Sequence, residues 1–225
     1  MSFQEPSPFP TKTLIQQQSL RGRSLKRICD ILFSLFVLSF GFPFLLIIAI
    51  IVKLSSPGPI FYVQERLGRN YTYFGCIKFR TMKKDADIIL NDVLANSSSM
   101  RKEFERDFKL RKDPRITVIG NFLRRSSLDE LPQFINILKG EMSLVGPRPI
   151  VDQEVTRYGK YMDEVISVRP GLTGLWQVSG RNNLSYEKRV ELDIYYVRFR
   201  SFALDIAIIL KTLGVMLLPM DRGAY

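Results

Sequence analysis

Residues 31–52 read ILFSLFVLSFGFPFLLIIAIIV, 22 consecutive positions without a charge. About 20 apolar residues in a helix cover the hydrocarbon core of a bilayer, so this stretch decides how the whole chain is organised. It lies too far from the start, and is too long, for the apolar region of a secretory signal. Five Lys/Arg and one Glu precede residue 28, and 28 Lys/Arg against 20 Asp/Glu follow residue 52. Both flanks are therefore basic, and the positive-inside bias directs both to the cytoplasmic side. Gly41 and Pro43 fall at the middle of the run, where a proline withdraws a helical hydrogen bond and its ring presses on the preceding turn. A helix that enters the membrane, bends near Pro43 and returns to the same face satisfies both observations. An ordinary kinked span is the alternative, because proline is tolerated in membrane helices and a long following domain weakens the charge bias.

Outward from this helix the chain changes character on each side. Residues 1–20 carry Pro6, Pro8 and Pro10 and the run Gln16 to Gln18, a composition that buries too little apolar surface to order itself and predicts a mobile tail. Downstream, Ser55-Ser56-Pro57-Gly58-Pro59 breaks the helix. Aromatic and β-branched residues then flank Gly68-Arg69-Asn70, which predicts a β-hairpin from residue 60 to 82, with Ile77 and Phe79 alternating with Lys78 and Arg80 so that the two cations share a face. A charged helical pattern follows over residues 83–111, stopped by Asp113-Pro114. Helices are expected over 116–125, 131–138, around 151–164, 185–196 and 202–218. Between residues 143 and 183, Pro147, Pro149, Pro170 and several glycines predict mostly loops, the usual place for ligands. The expected fold class is α+β and mainly helical. It comprises a tail (1–20), an apolar membrane helix (21–55) and one following domain (56–225) that opens with a β-hairpin.

Composition narrows the chemistry. The net charge of +11 calls for an anionic partner: a phosphorylated metabolite, a nucleic acid or a lipid surface. With no histidine in 225 residues, His-based acid/base catalysis, Ser-His-Asp and Cys-His nucleophiles and His-ligated zinc are excluded. Cys29 and Cys76 form no CxxC pair, and a reducing, cytosolic-side location follows. An enzyme built from this chain works with carboxylates, Lys, Arg, Tyr or a hard metal ion.

Three segments concentrate such groups. In RRSSLDELPQ, residues 124–133, Pro132 belongs in the first turn of a helix, so a helix should begin near Asp129 or Glu130. Two carboxylates then stand at a helix N-terminus beside Arg124 and Arg125. Asp129 as a cap and Glu130 favouring the dipole is one account, worth about 0.5–2 kcal/mol. The other is an ionised nucleophile or metal ligand with a phosphate held by the arginines. Arg148 sits between Pro147 and Pro149, a rigid placement suited to bidentate phosphate recognition or to a structural ion pair. RPGLTGLWQVSGR, residues 169–181, holds the single tryptophan and Arg181, but matches neither the GxxxxGKS/T nor the GxGxxG phosphate loop. Trp176 reads as core or membrane-interface packing.

Taken together, Lys26-Arg27 with the proline-broken apolar helix, SPGPIF (56–61), KFRTM (78–82), SLDELPQ (127–133), LKGEMSLVGPRP (138–149) and residues 169–181 resemble the bacterial sugar transferases, the monotopic polyprenyl-phosphate phosphoglycosyl transferases. The resemblance runs in order from about residue 24 to the end. The multi-span N-terminal region of the family's longer members has no counterpart here, and residues 205–225 look most like the hexose-1-phosphate transferases that initiate exopolysaccharide synthesis. The resemblance implies that Asp129 attacks the β-phosphate of a UDP-sugar, releasing UMP and forming an aspartyl phosphosugar that undecaprenyl phosphate then takes up. Glu130 is implied in metal or proton handling, Asp129 and Glu130 in holding Mg²⁺, and Lys78, Arg80, Arg124, Arg148 and Arg181 in binding substrate. The resemblance further implies that the helix over 21–55 is re-entrant, bent at Pro43, and that residues 56–225 form a cytosolic, membrane-associated catalytic domain with amphipathic interfacial helices, on the cytoplasmic face of the bacterial inner membrane. The partners expected are the UDP-sugar, undecaprenyl phosphate and membrane lipid. A homodimer is compatible with this, and no nucleic acid is expected, since no helix-turn-helix, finger or RNA-recognition pattern is present. Galactose is the first expectation for the sugar and glucose the second. The competing function is a non-catalytic anchoring module for a polysaccharide assembly complex.

Overall fold

The computed structural model describes residues 20–107, 110 and 112–217, so the expected tail lies outside the described residues except for Leu20, which already opens the first helix. Helix α1 (Leu20–Ser55) contains Pro43. At 36 residues it is about 54 Å long, and it is the one described helix long and apolar enough to cross a membrane. Along it Phe36, Phe40, Phe42, Leu46 and Ile47 are exposed, Phe40 to 76%. So much contiguous apolar surface requires a non-aqueous neighbour.

Strands β1 (Phe61–Leu67) and β2 (Tyr73–Phe79) pair antiparallel, with Gln64 opposite Cys76 and Arg66 opposite Phe74. The expected hairpin is present. Phe74 and Cys76 join the main core on one face, while Phe79 packs with Ile48 and Val52 of α1 and Leu123. The long helix expected over 83–111 is two helices, α2 (Ala86–Asn96) and α3 (Ser98–Asp107). Ser97 is extended between them and accepts from Met100 N at 3.3 Å, a side-chain cap competing with helix continuation.

Helix α4 (Val118–Ser126) is capped by Thr117, whose hydroxyl accepts from Gly120 N, and α5 (Gln133–Lys139) ends at Gly140 in the left-handed region. The loop-rich stretch holds a parallel pair that sequence reasoning missed: β3 (Ser143–Val145) against β4 (Gly171–Thr173). The close approach depends on glycine, since a Cβ on Gly171 would lie 2.1 Å from Gly146 N. The helix expected around 151–164 is interrupted at Gly159, φ +50°, into α6 (Asp152–Tyr158) and α7 (Met162–Val165). Helices α8 (Leu175–Ser179), α9 (Tyr186–Phe199) and α10 (Phe202–Leu217) complete the described fold.

Both halves of α1 dock on this one body. Val37 and Leu38 pack against the main core, and Leu45, Ile48 and Val52 against Phe79 and Leu123. Polar anchors fix its beginning. Lys26 donates to Asp205 Oδ2 at 2.7 Å and to Val145 O at 3.0 Å; Arg27 donates to Ile137 O and Leu138 O at the end of α5; Asp30 accepts from Leu144 N. Cations at a helix C-terminus satisfy carbonyls that the helix leaves open. Exposed Val118 and Phe122 on α4, and Phe202, Ile206, Leu210 and Leu213 on α10, add apolar stripes at helical spacing.

Candidate active site at the junction of α4 and α5

Ser127, φ +58°, ends α4 in the left-handed conformation, and a single 3-10 turn over Leu128–Glu130 leads into α5. The i to i+3 bonds Glu130 N to Ser127 O, Leu131 N to Leu128 O and Phe134 N to Leu131 O keep this junction tight. The helix therefore begins later than the sequence predicts, and the position before it is Pro132, with no side-chain cap. Asp129 does not cap α5. The turn instead holds two successive carboxylates at the surface of the core.

Asp129 is 8% exposed. Burial first, then the neighbouring Glu130, push its carboxyl up to about 6, against the pull of Lys78 and Arg124. Lys78, projecting from β2, is bound to Glu130 Oε1 at 2.5 Å. Arg124 is oriented by its Nε donating to Thr81 Oγ1 at 2.9 Å. Glu130 also acts on the guanidinium groups of Arg66, Arg148 and Arg181. Burial works to lower Arg148, but Glu154 and Glu130 outweigh it and hold the group above its ordinary range. A small pocket is lined by Arg66, Lys78, Glu130, Gln133, Arg148 and Gln177, among others. Trp176 is buried, with Arg148 at 6.0 Å and Arg189 at 5.3 Å from its ring centre.

Of the residues singled out from sequence, Asp129, Glu130, Lys78, Arg124, Arg148 and Arg181 thus converge. Arg80 is placed elsewhere. Strand β2 ends at Phe79, and Arg80 Nη2 donates to Ser56 O at 2.6 Å, Ser56 Oγ at 3.0 Å and Val52 O at 3.4 Å, closing the C-terminus of α1. The shared face expected for Lys78 and Arg80 is therefore not formed, because the strand stops one residue short of it. Pro43 lies at the exposed middle of α1. Sequence reasoning missed Arg66, Gln133 and Gln177. The strand pairing that sets Gln64 against Cys76 and Arg66 against Phe74 puts Arg66 on the face that carries Lys78, and that register follows from the turn geometry.

Among the described residues no group of three or more Asp, Glu, Cys or His could hold a metal ion. Two adjacent carboxylates are nevertheless what Mg²⁺ takes from a protein when substrate phosphates supply further oxygens, and the mutual repulsion that raises Asp129 is relieved by a cation. Asp129 and Glu130 are the two carboxylates that such an ion would use, with its remaining ligands coming from outside the chain.

Two consequences are measurable. Arg148→Lys keeps the charge but loses the planar fork, so a substrate phosphate held there should bind with at least a tenfold higher KM; unchanged kinetics would assign Arg148 to the scaffold. Beneath the site, Asp193 is fully buried. Its Oδ2 accepts from Tyr158 OH at 3.0 Å, and burial pushes its carboxyl up to about 8 against the pull of Tyr158 and Arg148. A raised carboxyl favours the fold fully below pH 4, and that contribution is lost as pH rises from about 4 through 8. Asp193→Asn mimics the neutral acid, so its melting temperature relative to the parent should be higher at pH 8 than at pH 5. An equal difference at both pH values would contradict this.

The family model for bacterial sugar transferases matches residues 21–219. The chain is 47% identical over 205 residues to the undecaprenyl-phosphate galactose phosphotransferase of Salmonella typhimurium, covering 91% of this chain and 42% of that protein. It is 44% identical over 204 residues to the exopolysaccharide production protein ExoY of Sinorhizobium fredii, covering 91% and 89%. With the UDP-glucose:undecaprenyl-phosphate glucose-1-phosphate transferase of Escherichia coli it shares 40% over 199 residues, 85% of this chain and 40% of that protein. The chain spans less than half the length of several relatives it matches. A match running from the start of α1 to the end of α10, and including the turn with both carboxylates and every cation around it, leaves one assignment: the chain belongs to the bacterial sugar transferase family.

Proposed function

We propose that this chain transfers a hexose 1-phosphate from a UDP-sugar to undecaprenyl phosphate, releasing UMP, as the initiating step of exopolysaccharide synthesis. The observation that carries the reading is the pair of buried Asp129 and half-buried Glu130, with Lys78 bound to Glu130, Lys78 and Arg124 acting on Asp129, and Arg148 and Arg181 acted on by Glu130. An Asp129 oxygen attacks the phosphorus that bears the sugar, and the bond from that phosphorus to the bridging oxygen breaks as UMP leaves. A phosphate oxygen of the lipid then attacks the same phosphorus, and cleavage of the aspartyl–phosphorus bond restores the carboxylate. The cations stabilise charge that moves between oxygens, and no step needs a histidine. Asp129 and Glu130 would hold Mg²⁺, which would supply Lewis-acid neutralisation of the phosphate oxygens. Galactose is proposed ahead of glucose, since the relative named for galactose is 47% identical and the one named for glucose 40%. Membranes carrying the chain, given UDP-galactose or UDP-glucose with undecaprenyl phosphate, should release UMP with one of them. Silence towards both, with the fold intact, would favour an anchoring module.

The same proposal sets residues 56–225 as the catalytic domain on the cytoplasmic face of the membrane, with residues 21–55 entering and leaving on that face and turning at Pro43. Docking of both halves of α1 on one body supports it, because a straight span would carry one end away from the domain. Cysteines introduced at Ser24 and Ser55, in a chain lacking Cys29 and Cys76, should both be labelled from the cytoplasmic side. Labelling from opposite sides would establish a true span.

A further inference from the structure

Arg66 is 8% exposed, yet its hydrogen bonding is incomplete. Nη1 donates to Pro149 O at 3.0 Å and Nη2 to Gln64 Oε1 at 2.6 Å, while Nε is buried without a partner. The nearest carboxylate, Glu154, stands 3.9 Å from Nη1, beyond hydrogen-bond reach. Arg66 lines the pocket together with Arg148, Lys78 and Glu130. Three cations line it against two carboxylates, Glu130, which Lys78 already holds, and Glu154, which contacts Arg66 only at 3.9 Å. An unpartnered buried donor is costly unless an acceptor enters.

We propose that Arg66 is a phosphate-binding residue of this site, receiving with Arg148 a phosphate group of a substrate. The inference rests on the transfer reading above and adds to it a residue on the hairpin. An anchor for Pro149 alone would use Nη1 and leave no reason to keep Nε dry. A phosphate oxygen can accept from the guanidinium N–H groups that Pro149 and Gln64 leave unused, a fork which a lysine at this position could not reproduce. The phosphate comes from one of two sources, the diphosphate of the donor or the terminal phosphate of the lipid acceptor.

The experiment uses the full chain in lipid nanodiscs with magnesium, comparing wild type with Arg66→Lys. UDP binding is measured by calorimetry, KM for undecaprenyl phosphate by UMP release, and folding by melting temperature. A tenfold or greater loss of UDP affinity assigns Arg66 to the donor. Unchanged UDP affinity with a tenfold or greater rise in KM for the lipid assigns it to the acceptor. Both quantities within twofold of wild type would overturn the proposal. If Arg66→Lys loses its fold, Arg66→Gln, which keeps a donor for Pro149 without a buried charge, takes its place, and collapse of both makes Arg66 a scaffold residue and overturns the proposal. Failure of the transfer reading would look different: wild type itself would release no UMP, while UDP affinity would still compare the variants.

Discussion

Asp129→Asn is expected to abolish transfer, by roughly 10⁴-fold or more, as removal of a covalent nucleophile does elsewhere, while leaving the fold intact. The structure makes this a clean comparison. Asp129 caps no helix, so the substitution withdraws no cap. Its carboxyl, pushed up to about 6 by burial and by Glu130, is an electrostatically costly group in the folded chain, so an isosteric amide should melt no earlier than the parent at neutral pH. A variant that is as stable as wild type and releases no UMP, with or without lipid, separates chemistry from architecture. Retained lipid-linked product would show that another group attacks.

Glu130→Gln carries the second large effect, a loss of about 10²–10³-fold in turnover, the scale for removing a preorganised charge from a reacting centre. Glu130 is the partner of Lys78 and the shared counter-charge of Arg66, Arg124, Arg148 and Arg181. Neutralising it also removes the like charge beside Asp129, so the Asp129 carboxyl should titrate lower and be more fully ionised at neutral pH. If ionisation of Asp129 alone limited the rate, Glu130→Gln would be faster. A slower variant that also needs more magnesium for half-maximal UMP release places Glu130 at the cation, whereas wild-type turnover would reduce it to a structural partner of Lys78.

The division between what the sequence revealed and what needed the fold follows physical range. The uncharged run of residues 31–52, the hairpin around Gly68 and the helix expected over 131–138 rest on local pattern, and each is present, the last with a start two residues later than expected. The parallel pairing of β3 with β4 was not legible, because two three-residue strands leave no periodicity and join through backbone hydrogen bonds between segments far apart in sequence, where Gly146 lies close against Gly171. The break at Ser97 was written in Asn96, Ser97, Ser98 and Ser99, poor interior helix formers whose side-chain oxygens compete for backbone donors, as that of Ser97 does for Met100 N. Most of the site's cations were found because they flank Pro, Gly or the carboxylates. Arg66 was missed and Arg80 misplaced for one reason: the side that a strand residue faces depends on register and on where the strand stops. Asp129 as a cap or as a reactive group could be weighed from sequence but not decided, since the choice turned on whether α5 starts at residue 129 or at 133.

Mass spectrometry of the chain incubated with magnesium and UDP-sugar, in the absence of any lipid acceptor, tests the central claim most directly. The account predicts UMP release and a hexose phosphate joined to the peptide containing Asp129, absent from Asp129→Asn and discharged when undecaprenyl phosphate is added. UMP that appears only once the lipid is present, with no adduct on Asp129 at any time, would contradict it.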